Sequence, residues 1–181
     1  MFSTSYNAEQ RSFITSLVRV LNPSYALEFG TQQGSSAIAI GKGMQKGSKL
    51  VTYDLFSPQY DKPPYSDTHA SQELAFNNIA AAGLECDTEI RKGDQGDWFS
   101  SNKRGIDLLH IDICNHYDNV ARIIGTLEGW INGVILLEGG IHNNWQKEHG
   151  FAPFTLLLSS WQYITIPFND HNAITIVSTH V

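Results

Sequence analysis

Tyr25–Ile40, YALEFGTQQGSSAIAI, is the stretch from which the rest of this 181-residue chain is read. The apolar run Tyr25-Ala26-Leu27 is too short and too abruptly ended for a helix, and an acid, Glu28, closes it. GTQQGSS follows, then the small apolar segment Ala37-Ile38-Ala39-Ile40. This reads as buried strand, tight glycine turn, helix. Such a turn sets backbone N–H groups and a helix N-terminus at the carboxyl end of a strand, where open α/β sheets bind ligands. Gly30 is expected to leave the strand in a conformation closed to residues with a Cβ. Gly34 is expected to let the backbone lie close against a ligand. Glu28 would face the same crevice as an acceptor, and Thr31 and Ser36 lie in the turn and at the helix start. The same residues also suit a plain strand–turn–helix whose glycines serve the turn alone.

Outward from this stretch, strands and helices alternate. Asn7 and Gln10 form a capping-box start for a helix on which Phe13, Ile14, Leu17, Val18 and Leu21 recur at helical spacing, ended by Asn22-Pro23. Lys49–Tyr53 is a second strand closed by Asp54. Leu55–Asp67, with three prolines, is the one linker-like stretch. It is long for a strand-to-helix connection and is read as a candidate lid over the ligand-facing end of the sheet. Thr68–Ala82 reads as helix with Gly83 as its stop, Thr88–Arg91 as a third strand running into Lys92-Gly93-Asp94-Gln95, and Ile106–Ile111 as a buried fourth strand closed by Asp112. Tyr117, Val120, Ile124, Leu127 and Ile131 predict an amphipathic helix stopped by Gly133. Val134–Leu137 is a fifth strand closed by Glu138, and Asn144–Ser160 reads as mostly helical. Trp161–Phe168 and Ala173–Thr179 alternate around the turn signal Asn169–Asn172.

Composition bounds the class. Eighteen acids against twelve Lys and Arg give a net charge of −6 with no basic stripe, which argues against a nucleic-acid partner. Cys86 and Cys114 lack ligand spacing and disulfide pattern, as suits a reducing compartment. The start MFSTSYNAEQR has neither the basic nor the apolar segment of a signal peptide, and no apolar run reaches membrane-spanning length. The expectation is one cytoplasmic domain over residues 1–181, with an N-terminal helix within 1–22, a candidate lid at 55–67 and no membrane partner.

Glu28, Asp54, Asp112 and Glu138 each close a strand, and the third strand runs into Asp94. In a parallel sheet such endings share one edge. Each acid alone suits a cap or a turn; together they suit a site. The spacing E-x-G-x-x-x-G-x-S departs from the G-x-G-x-x-G of dinucleotide folds. It resembles motif I of class I S-adenosylmethionine-dependent methyltransferases, and among them the small O-methyltransferases that include the catechol type. The element order carries this resemblance along the whole chain. It implies a Rossmann-like α/β fold: a seven-stranded, mostly parallel sheet with one antiparallel strand from a C-terminal hairpin and helices on both faces.

The resemblance implies that S-adenosylmethionine is the cofactor and a small molecule the methyl acceptor, with oxygen expected to receive the methyl. Asp54 would accept from the ribose hydroxyls, Asp94 from the adenine amine with Gln95 as a second adenine residue, and Ser36 with the helix dipole would hold the methionine carboxylate. Gly30, Thr31 and Gly34 form the loop, Glu28 lies at the ligand's amino end, and Asp112 closes the cofactor set. Asp112 and Glu138 would also bind Mg²⁺, which would lower the acceptor hydroxyl's pKa. Here the chain departs from the family's Asp-Asn or Asp-Asp, having Glu138-Gly139-Gly140, so a second ligand would come from His142, from Asn143 or from nowhere. Ile111–Val120 resembles a D-x-D-H-x-Y-x-x-V pattern in Asp112, Tyr117 and Val120, with Asn115 at the histidine position and His116 one place later. His116 and His142 are the candidate general bases, beside Asp112. Trp98, Tyr117, Trp145 and the Tyr60–Tyr65 loop are candidate acceptor walls, and Trp130 and Trp161 are read as core. The acceptor pocket would come from the lid, from Ile141–Pro153 or from a second subunit of a homodimer. Two other readings stay open: a non-catalytic S-adenosylmethionine-binding module and an NAD-dependent oxidoreductase.

Overall fold

A computed structural model describes residues 7–57, 71–101, 104–113, 117–139, 153–168 and 173–179. Its strands form a seven-stranded sheet of order β3-β2-β1-β4-β5-β7-β6. These are β1 Tyr25–Phe29, β2 Lys49–Asp54, β3 Asp87–Lys92, β4 Ile106–Ile111, β5 Ile131–Glu138, β6 Gln162–Pro167 and β7 Ala173–Ser178. The helices are α1 Ala8–Leu21, α2 Ser35–Gly43, α3 Gln72–Ala81, α4 Gln95–Ser101 and α5 Tyr117–Leu127, with 3-10 turns at Glu128–Trp130 and Phe154–Ser160. The chain divides into two compact units, Met1–Asp94 and Gln95–Val181.

In the first unit, α1 begins with the expected capping box. The Asn7 side chain accepts from Gln10 N–H and the Gln10 side chain from Asn7 N–H, both at 2.9 Å. The helix ends at Asn22, whose left-handed backbone (φ 50°) returns its N–H to the Val18 carbonyl. Ile14 and Val18 are fully buried. α2 packs closely on α1: a Cβ on Gly43 would stand 2.6 Å from the Thr15 carbonyl, and Thr15 Oγ1 donates to the Ala39 carbonyl at 2.9 Å. All five residues of β1 are buried, as a central strand of a parallel sheet requires. β1 pairs parallel with β2 and β2 with β3, so Phe29, Asp54 and Lys92 end on one edge of this unit. α3 starts later than Thr68, because Ser71 caps it by accepting from Leu74 N–H at 3.1 Å.

In the second unit, β4 and β5 run parallel, β7 pairs antiparallel with β5, and β6 pairs antiparallel with β7. β6 ends the sheet order, with Tyr163 45% and Ile164 59% exposed. The boundary between α5 and β5 differs from its reading in the sequence. The helix stops at Leu127, and Ile131 and Gly133 belong to the strand. Gly133 is therefore no helix stop. A Cβ there would strike the Asp107 carbonyl, so glycine is what lets β5 approach β4 this closely.

Residues Gln95–Ser101, passed over in the periodicity, form α4. Trp98 on this helix is fully buried and meets Trp130 edge-on at 6.4 Å, so it is core and not a wall of the acceptor pocket. The expected helix Asn144–Ser160 appears among described residues as the 3-10 turn Phe154–Ser160 after Pro153. Residues 144–152 of that span lie outside the described residues. No helix among the described residues is long and apolar enough to cross a membrane.

Candidate active site

The turn after β1 is fixed residue by residue. Gly30 has φ 104°, a left-handed value, and its N–H donates to the Tyr53 carbonyl at 2.8 Å, which carries the β1–β2 ladder one step past the strand. The Thr31 hydroxyl lies 2.5 Å from that of Thr52, and Thr52 Oγ1 donates to Glu28 Oε2 at 2.5 Å. Glu28 and Thr52 are opposite partners in the parallel ladder, which is why their side chains meet. Neither has any exposed surface. Glu28 was expected to open onto the ligand crevice; its carboxylate is enclosed.

Asp54 is gripped by two backbone donors. Gln32 N–H reaches Oδ2 and Phe56 N–H reaches Oδ1, both at 2.8 Å. Both donor residues have left-handed backbones without being glycine, at φ 46° and 42°. Such conformations are uncommon for side-chain-bearing residues and cluster at functional sites. The loop is also held from α3, where Asn78 Nδ2 donates to the Gln33 carbonyl at 2.9 Å. Gly34 has φ 89°, and a Cβ there would stand 2.9 Å from Ile79 of α3. Glycine at this position thus serves the turn and the approach of α3. Gly34 caps α2 without a side-chain bond, so the first N–H groups of this helix have no side-chain acceptor at the cap. Ser36 is buried in that first turn.

Asp94 is half-buried and follows Gly93, whose N–H donates to the Asp54 carbonyl at 2.9 Å. That bond ties the end of β3 to the end of β2. Gln95 is buried at the start of α4. On β2 and β3, Glu89 bonds Arg91 at 2.7 Å and Lys49 at 3.1 Å, and Arg91 also donates to the Tyr53 hydroxyl at 2.9 Å. The adjacent Arg91 guanidinium, helped by Lys49, holds the Glu89 carboxyl below its ordinary range against a smaller opposing effect of burial.

In the second unit, Asp112 and Glu138 directly follow and end the paired parallel strands β4 and β5, and both are half-buried. Gly139, where the catechol-type pattern has a second ligand, cannot serve as one. It has no side chain, its φ is 96°, its N–H donates to the Ala173 carbonyl at 2.7 Å, and its carbonyl accepts from Thr175 Oγ1 at 2.8 Å. Among the described residues no group of three His, Cys, Asp or Glu side chains comes together for a metal. Asp112 and Glu138 come just after the paired residues Ile111 and Leu137 on neighbouring strands, and carboxylate oxygens are the ligand type that a hard cation such as Mg²⁺ takes. His116, His142, Asn143, Trp145 and loop residues 58–67 lie outside the described residues. His110 is packed within β4 as expected, and Tyr117 is 36% exposed.

Sequence reading missed Thr52, Gln32 and Phe56. For Thr52 a signal existed: a hydroxyl inside an apolar strand, two residues before an acid and so on the same face. For Gln32 and Phe56 there was none, because they act through backbone N–H groups.

The profile of a family described as a methyltransferase domain matches residues 27–137. Catechol O-methyltransferase B of Danio rerio is 29% identical over 111 residues, 60% of this chain. That match spans only 38% of the fish protein's length. Two solved structures share the fold over nearly the whole chain. One is an O-methyltransferase from Bacillus cereus in complex with SAH, 18% identical with a TM-score of 0.72, covering 98% of this chain and 84% of its own. The other is cofactor-bound Rv0187 from MTB, 19% identical with a TM-score of 0.75, covering 97% and 81%. The family match runs from inside β1 to Leu137 of β5, so it takes in the glycine turn and the acids Glu28, Asp54, Asp94 and Asp112, and by it this chain belongs to the methyltransferase-domain family.

Proposed function

We propose that the chain transfers a methyl group from S-adenosylmethionine to an oxygen of a small-molecule acceptor. The observation that carries this reading is the pre-set Asp54 carboxylate. Two backbone bonds fix both of its oxygens, and a carboxylate has about four acceptor sites. Sites thus remain for the two hydroxyls of a ribose. The uncapped start of α2, with Ser36, suits the ligand's carboxylate. Asp94 and Gln95 suit the adenine edge.

The bound donor supplies a methyl carbon on a positively charged sulfur. The acceptor oxygen forms its bond to that carbon as the carbon–sulfur bond breaks in line, leaving S-adenosylhomocysteine. The acceptor's proton leaves to a base, for which His116 and His142 are the proposed residues. The protein contributes proximity and orientation, and no side chain forms a covalent intermediate. Asp112 and Glu138 are the residues that would hold Mg²⁺, which would make the acceptor hydroxyl more acidic.

Isothermal titration with S-adenosylhomocysteine, followed by turnover of methyl-labelled donor over a panel of catechols and other small hydroxylated compounds, tests the reading. Binding with turnover is expected. Binding without turnover on any acceptor would favour a non-catalytic module, which the Glu138-Gly139 departure keeps in view. For the metal, activity should fall in excess EDTA and return with Mg²⁺; undiminished turnover in EDTA would remove the cation from the proposal. His116→Ala or His142→Ala should lower kcat by roughly a hundredfold if that residue is the base.

A further inference from the structure

We propose that Glu28, the acid of the glycine-turn motif, does not meet the methyl donor but is a positioning residue acting through Thr52 and Thr31. The inference rests on the reading of the turn as a methyl-donor site. Glu28 and Thr52 are 0% exposed and Thr31 is 1% exposed. A carboxylate with no open surface cannot exchange its partners for a ligand's ammonium group unless the fold opens around it.

The bonding fixes the direction of the relay. Thr52 has one hydroxyl hydrogen, and it goes to Glu28 Oε2. The short Thr31–Thr52 contact is then made by the Thr31 hydrogen. The relay runs from Thr31 in the turn to Thr52 on β2 and ends on Glu28 of β1. It adds a side-chain tie to a loop already tied by backbone at Gly30, Gln32 and Gln33. A buried carboxyl is costly without hydrogen bonds, so the Glu28 acceptor of the relay holds both hydroxyls in one arrangement. Thr31 is next to Gln32, whose N–H sets Asp54. Slack at Thr31 therefore reaches the ribose-binding carboxylate.

The experiment compares wild type with Thr52→Val, Thr52→Ser, Thr31→Val and Glu28→Gln. Affinity for S-adenosylhomocysteine, KM for the donor, kcat and Tm are measured on each. Valine keeps the shape of threonine and removes the hydroxyl. Thr52→Val and Thr31→Val should each raise Kd and donor KM about tenfold with kcat nearly unchanged, as loss of one charge-linked hydrogen bond implies. Thr52→Ser should recover most of that loss. Glu28→Gln keeps a carbonyl acceptor for Thr52 and removes the charge, so it should weaken binding less than Thr52→Val. If Glu28→Gln raises Kd while Thr52→Val and Thr31→Val leave it unchanged, Glu28 does not act through the threonines and the proposal is overturned. It is also overturned if the valine variants lower Tm and leave Kd unchanged. Should Thr52→Val not fold, Thr31→Val decides on the same criteria. Wild type that fails to bind S-adenosylhomocysteine at all sinks the donor-site reading itself, an outcome distinct from either.

Discussion

Asp54 shows how one side chain is prepared by its neighbours' backbones. Its two donors, Gln32 and Phe56, hold conformations that cost side-chain-bearing residues roughly 1–2 kcal/mol each. That expense is offset where a carboxylate must be rigid before its ligand arrives. Asp54→Ala should raise the Kd for S-adenosylhomocysteine about a hundredfold, the worth of two hydrogen bonds to a charged group. Asp54→Asn should lie between, because one of its two acceptor oxygens becomes a donor; isothermal titration distinguishes the three proteins. Asp54 could be picked out beforehand because an acid after an apolar strand is visible as a pattern. Its clamp could not, since nothing in the letters Gln and Phe announces a positive φ. Glu28 was visible for the same reason as Asp54, but its enclosure was not: burial of a strand-end side chain is decided by Thr52, across a ladder whose register lies in the tertiary structure.

At the level of elements, β2 and β3 are joined by charge as well as by backbone. Glu89 sits between Arg91 and Lys49, and Arg91 is the larger cause of its lowered pKa. A carboxyl whose pKa is lower in the folded than in the unfolded chain stabilises the fold fully above its ordinary value of 4.5. That contribution is lost as pH falls through the lowered folded value. Glu89→Gln should therefore reduce stability at neutral pH, and the gap from wild type should close as the solution is acidified below the ordinary value. Its size is under about 1 kcal/mol, because the pair is a third exposed and screened by water. Thermal melts across a pH series read both.

Gly133→Ala belongs to the same scale. Placing a methyl against the Asp107 carbonyl should cost about 2–3 kcal/mol of stability, measured by urea unfolding. Element order was legible because helix and strand periods differ, and the long amphipathic face of α5 and the apolar runs of β1, β4 and β5 are unambiguous. The α5–β5 boundary was not, since Ile131 fits either period and glycine both stops helices and permits close strands. α4 was hidden because its seven residues bury only Gln95 and Trp98, too few to make a stripe.

For the molecule as a whole, a ligand that binds only the folded chain stabilises it by mass action. S-adenosylhomocysteine at one hundred times its Kd should add about 2.7 kcal/mol, which for a chain of this length raises Tm by roughly 5–11 °C. NAD at the same concentration should leave Tm unchanged, and a shift with NAD alone would revive the oxidoreductase reading. The sheet has a further consequence at its β6 margin. Gln162–Pro167 carries no charged side chain, and Ile164 stands more than half exposed on it. An uncharged outermost strand of this kind is a template for adhesion between molecules. Heat or a destabilising substitution should therefore cloud the solution through this margin first. Ile164→Lys, by putting like charges on two such borders, should delay turbidity in light scattering while methyl-donor affinity stays as it was.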